Sequence, residues 1–168
     1  MNRWTLLAAA LSTAVALTGV LAGVAGADHP GSQTRTFVER NNLGSFQFVD
    51  HPPRSPGGGE EPNVSPGDVV VGGNRLYDAS NERRVGRFFF ECTAMRGGRR
   101  FGRIPFHCDG VFELRRGTIH LQALVRFNDD PIEGAITGGS GAFEGASGGV
   151  TFDNRRRTSR DTVHFDTD

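Results

Sequence analysis

Residues 135–152 read "AITGGSGAFEGASGGVTF" and place six glycines in eighteen positions of an otherwise apolar, strand-like stretch. Glycine reaches positive φ and leaves no side chain in the way. Such a cluster is therefore either a loop that a ligand approaches closely or a set of tight turns between strands. A dinucleotide loop fails on spacing, because after Gly139 and Gly141 the next glycine is Gly145, one place too late, and strand-like sequence follows instead of a helix. The stretch reads as architecture: strand, corner, strand.

The flanking sequence agrees. "SFQFVDH" alternates as a first strand, and the proline- and glycine-rich "PPRSPGGGEEPNVSPG" is a long loop. "GDVVVGGNRLYD" starts a second strand. "VGRFFFECTAM" is a third, with Phe88, Phe90, Cys92 and Ala94 on one face and Arg87, Phe89, Glu91 and Thr93 on the other. "IPFHCDGVFELRR" and "GTIHLQALVRF" follow, the latter alternating Ile119, Leu121, Ala123 and Val125 against Thr118, His120, Gln122 and Leu124. "PIEGAITGGSG", "AFEGASGGVTFD" and "TVHFDTD" complete a series of short strands with no helical period. The pattern points to an antiparallel barrel or sandwich, and composition does not choose between them.

Cys92 and Cys108 are the only cysteines. A hairpin centred near residue 100 sets them opposite each other, where a narrow antiparallel pair brings Cβ atoms within disulfide reach. The chain start supports an oxidising compartment. Arg3 precedes an apolar run over residues 6–24, and Ala25-Gly26-Ala27 supplies a small-x-small cleavage site. The expectation is a signal peptide over residues 1–27, cleaved after Ala27, and a secreted product. A flexible leader is expected over 28–44 and one domain over 45–168. Nothing after the signal is long and apolar enough for a membrane span.

Every one of the 19 basic residues is arginine and the net charge is zero. Without lysine there is no Walker-type phosphate loop and no Schiff base. The runs Arg99-Arg100 and Arg155-Arg156-Arg157 lack interleaved aromatics and sit in a neutral chain, so nucleic acid is not an expected partner. His107 beside Cys108 has no zinc-type spacing, and no metal is expected.

"GDVVVGGNRLYDASNERRVG" followed by Cys92, "GTIHLQA", and above all the Thr137–Gly148 run resemble the allene oxide cyclases and, more distantly, the plant dirigent proteins. The likeness extends over about residues 45–154. It implies an eight-stranded antiparallel β-barrel, a homotrimer, and a mostly apolar cavity without metal or organic cofactor. The glycines then let the chain turn between the sixth and seventh strands, with Phe143 packing at the corner.

Counted without gaps, the resemblance puts Ser55 and Pro56 on the family's water-holding serine and proline, and Cys92 on its cavity cysteine. Gln47 falls where the family has a glutamate and Val49 where it has an asparagine. A glutamine cannot carry the negative charge or take the proton, and a bridged Cys92 is no thiol, so allene oxide cyclisation itself does not follow. The leading expectation is a dirigent-like barrel that binds a small apolar metabolite, lipid-like or phenolic, against Phe88 and Phe90. The second is a cofactor-free isomerase or cyclase using other polar groups, with Asp68, Asn74 and Tyr77 as candidates beside packing and turn roles for the same residues. The third is a structural protein whose barrel is filled by its own side chains.

Overall fold

A computed structural model describes residues 31–52, 63–155 and 157–167. The expected signal peptide with its cleavage after Ala27, and the candidates Ser55 and Pro56, lie outside the described residues. The chain forms β1 (Gln33–Val49), β2 (Val69–Tyr77), β3 (Arg84–Ala94), β4 (Phe106–Leu114), β5 (Gly117–Val125), β6 (Ile132–Gly139), β7 (Ser147–Asn154) and β8 (Thr158–Asp166). Each strand pairs antiparallel with the next, and β8 returns to β1, which closes the barrel. The fold is the expected eight-stranded barrel, with the second half of β1, Ser45–Val49, pairing with β2 alone.

The expected leader is corrected from Gln33 onward. Residues 33–40 pair with β8 on one side, and β1 pairs with β2 on the other, so this stretch is the strand that closes the barrel. Phe37 joins the interior core while Val38, on the opposite face, is also buried. That double burial hides the in–out alternation that marks a half-exposed strand. "SFQFV" is only the second half of β1. Between the halves lies a wide bulge: five steps along β1, from Arg40 to Ser45, match two along β2, from Arg75 to Gly73. A bulge of this kind bends the strand and re-aims its side chains.

The 135–152 segment forms the end of β6, a single 3-10 turn (Gly141–Phe143) and the start of β7. Gly141 at φ 61° and Gly145 at φ 73° supply the left-handed backbone at either end of the corner. Phe143 between them is 1% exposed, and its ring meets Phe165 at 5.9 Å. The corner is therefore pinned from inside.

On β3 and β4 the register sets Cys92 opposite Cys108, and the two are joined in a disulfide with Cα atoms 4.0 Å apart. The alternation expected for β3 and β5 holds: Phe88, Cys92, Ala94, Ile119, Leu121, Ala123 and Val125 are buried, whereas Phe89, Leu124 and His120 are exposed. Among the described residues, no helix is long and apolar enough to cross a membrane.

Candidate functional site: an apolar cavity with a buried carboxyl pair

The β2–β3, β4–β5 and β6–β7 hairpins gather at one end of the barrel, and the β1–β2, β3–β4, β5–β6 and β7–β8 connections gather at the other. In the first half the interior is filled by Phe37, Phe112, Ile119, Ile136, Val163 and Phe165. The second half is hollow, with a cavity of about 320 Å3. Phe88 forms its floor, packed on Phe112 at 4.8 Å between ring centroids. Phe90, the Cys92–Cys108 bridge, Leu121 and Ala123 make the wall. At the mouth, Phe46 meets Phe127 edge-on at 6.3 Å and is 59% exposed.

Glycines make room for this lining. A Cβ at Gly110 would stand 2.9 Å from the Phe88 ring, and one at Gly44 would run into the Asn74 carboxamide. Both positions line the cavity, so the missing side chains shape it.

The polar part of the wall is small. Glu39 on β1, Asn74 on β2 and Ser159 on β8 come together on the inner surface. Asn74 Nδ2 donates a hydrogen bond of 2.5 Å to Glu39 Oε2. Asp161 lies just behind: Ser159 is opposite Glu39 and Asp161 is opposite Phe37, so the carboxyls are diagonal neighbours on one face of the β1–β8 pair. Asp161 is 0% exposed and Glu39 3%. Ser159 Oγ donates to Asp161 Oδ1 at 2.7 Å.

Burial pushes the Glu39 carboxyl above its ordinary range, against the lowering effect of its hydrogen bonds with Asp161 and Asn74. Burial pushes Asp161 well up, and the neighbouring charge of Glu39 pushes it further, with Ser159 opposing and exposed Asp153 adding a smaller upward effect. Two carboxylates in a dry site cannot both ionise, so the pair retains a proton. Asp161 Oδ2 is buried and has no other donor to accept from. A proton held by the pair satisfies such an oxygen, and Glu39 is the member of the pair that faces the cavity.

Of the residues singled out in the sequence, Phe88, Phe90, Asn74 and Cys92 line the cavity. Cys92 does so as half of a disulfide. Gln47 is exposed, on the outer face between inward-pointing Phe46 and Phe48. The first-strand carboxylate is Glu39, on the far side of the bulge from the gap-free match. Asp68 is fully buried away from the cavity, where it accepts the backbone N–H groups of His51 and Ser65 at 2.9 and 2.7 Å and ties the loop to the barrel. Tyr77 faces away from Asn74 and carries the Arg40 guanidinium over its ring at 3.7 Å. Among the described residues, no cluster of three His, Cys, Asp or Glu side chains is placed to hold a metal ion.

No protein-family model matches the chain, and no curated protein matches it by sequence. Solved structures do. A pyocyanin demethylase superposes with a TM-score of 0.60 at 18% identity, covering 79% of this chain and 99% of its own. A pterocarpan synthase dirigent protein gives 0.59 at 16%, covering 82% and 91%. An exo-specific intermolecular Diels-Alderase gives 0.53 at 15%, covering 80% and 96%. At these identities the likeness is one of fold, the closed eight-stranded antiparallel barrel that the sequence resemblance implies.

Proposed function

We propose that the barrel binds a small, mainly apolar metabolite, lipid-like or phenolic, in its cavity and holds it in one orientation, as a dirigent-like protein. The observation that carries this reading is the hydrogen-bonded Glu39–Asn74 pair beside Ser159 in a cavity walled mainly by aromatic and aliphatic groups, with Asn41, Ser45 and Asn154 as its other polar lining. An apolar hollow with a few convergent polar groups is the usual form of a small-molecule site. A phenolic hydroxyl donates to the Glu39 carboxylate, and the ring body lies against Phe88 and Phe90. The hollow also speaks against a barrel filled wholly by its own side chains.

The carboxyl pair favours a second reading, a cofactor-free intramolecular isomerase or cyclase. Glu39 takes a proton from one ligand atom and returns one to another, and Asp161 behind it supplies or stores the proton, so the substrate rearranges with no net change in composition. The raised position of both carboxyls suits such exchange. Cys92 contributes shape and not thiol chemistry. Secretion after removal of residues 1–27 belongs to the same proposal, since an oxidising compartment suits the bridge. So does the homotrimer, which rests on the resemblance; a monomer mass in light scattering at micromolar concentration refutes it.

Incubation of the purified protein with lipid and phenolic metabolites, followed by ligand-detected NMR and product analysis, separates the readings. Saturable binding with unchanged ligand supports the first. An isomeric product that disappears in Glu39→Gln supports the second. Neither binding nor turnover across the set removes both.

A further inference from the structure

We propose that the end of the barrel opposite the cavity mouth is a second ligand site, an arginine-rimmed pocket for an organic anion with an apolar body and a carboxylate, phosphate or sulfonate head. The pocket has a volume of about 510 Å3, and Arg35, Arg83, Arg84, Arg115 and Arg116 all line it. These come from the start of β1, the β2–β3 hairpin with the start of β3, and the β4–β5 turn. Five guanidinium groups converge from three separate segments of a chain whose net charge is zero.

Little on the protein neutralises them. Among the described residues, the one carboxylate within ion-pair range of the five is Asp78, 3.7 Å from Arg83 Nε. That carboxylate is already engaged in its own turn, accepting the N–H groups of Glu82 and Arg83 and the Ser80 hydroxyl on Oδ1. Arg35 reaches Gln33 Oε1 at 3.3 Å and Arg84 reaches the Gly86 carbonyl at 3.5 Å, long contacts that use one donor each. Most of the planar donor forks remain for a ligand, and they match carboxylate and phosphate geometry bidentately.

The floor explains the apolar half of the ligand. Half-buried Val85 and Leu114 give the pocket its apolar surface below the rim, over the buried rings of Phe37 and Phe143. Arg35 is held in place there, its guanidinium 4.9 Å from the Phe143 ring centre and 5.8 Å from that of Phe165. A bare inorganic anion would leave this surface wet. The two sites are separate, because Phe37 packs on Phe112 at 5.6 Å and Phe112 on Phe88 at 4.8 Å, a stack of rings across the barrel.

The test uses anilinonaphthalene sulfonate, whose fluorescence rises on an apolar surface, and its uncharged analogue phenylnaphthylamine. At low salt the intact protein binds the sulfonate saturably, and inorganic pyrophosphate displaces it. Arg115→Ala combined with Arg116→Ala weakens the sulfonate by about tenfold or more and leaves the neutral probe unchanged. Arg83→Glu, at an exposed hairpin position, does the same if the first variant melts early. No saturable sulfonate binding to the intact protein, equal affinity in both variants, or equal loss of the neutral probe overturns the proposal.

Discussion

Glu39 on β1 and Asp161 on β8 are diagonal neighbours on the inner face of one antiparallel pair, both buried, and burial raises the pKa of each. Glu39 alone of the two meets the cavity. The arrangement sets one carboxyl at the wall and a second, more deeply buried one behind it. Its cost is that stability depends on where the proton sits.

The folded state favours protonated Asp161, whose pKa lies well above the ordinary 3.8. The resulting stabilisation is full below the ordinary aspartate range and is lost as pH rises through the raised folded value. Urea unfolding over a pH series should show stability falling toward alkaline pH, with a slope of up to about 1.4 kcal/mol per pH unit. Asp161→Asn, which keeps an acceptor for Ser159 and a donor toward Glu39, should flatten that slope. An unchanged slope in the variant would place the proton elsewhere.

Asn74→Ala removes the donor to Glu39 and should destabilise by about 1–3 kcal/mol, since the carboxylate is left buried and less paired. The Glu39 carboxyl should move further up, because the Asn74 hydrogen bond lowers it. Gly44→Ala should reproduce the upward shift by displacing the Asn74 carboxamide and cost more stability, since its Cβ would also stand 2.6 Å from the Gly73 carbonyl oxygen. Carboxyl NMR titration of the three proteins reads the shift directly.

Replacing Cys92 and Cys108 together by serine opens a loop of sequence separation 16 and should cost about 3 kcal/mol. Thiol titration of the unfolded, unreduced protein should find no free thiol. Two free thiols would refute the bridge and leave Cys92 as a thiol lining the cavity.

Phe143→Ala should cost about 3–5 kcal/mol in thermal or urea unfolding, because the ring is buried at the corner that two left-handed glycines create. A loss below about 1 kcal/mol would mean that the corner is held by its backbone alone.

Much of this was legible in the sequence because strands of this barrel alternate cleanly. β3 and β5 each carry apolar residues at every second position, and hairpin symmetry alone fixes Cys92 opposite Cys108. The Thr137–Gly148 run reads as a corner because a dinucleotide loop needs its third glycine one place earlier. The first half of the first strand was not legible: Phe37 and Val38 are buried on opposite faces, so period two disappears there, and the Arg40–Ser45 bulge breaks any gap-free count. The count therefore lands on exposed Gln47, while the first-strand carboxylate that lines the cavity is Glu39. Asp161 did leave a signal. It is in phase with Ser159, Val163 and Phe165 on β8, and an aspartate on the apolar face of a strand is a buried carboxyl awaiting a partner.

The central claim is that the cavity at Glu39 takes the small-molecule ligand, and amide and side-chain NMR mapping with a simple phenol such as naphthol tests it most directly. The account predicts saturable shifts at Glu39, Asn74, Phe88, Phe90 and Leu121, with affinity reduced about tenfold in Ala123→Leu, whose added methyl groups occupy the hollow without changing its polarity. Saturable binding that leaves these residues unmoved, or that is indifferent to Ala123→Leu, would contradict it.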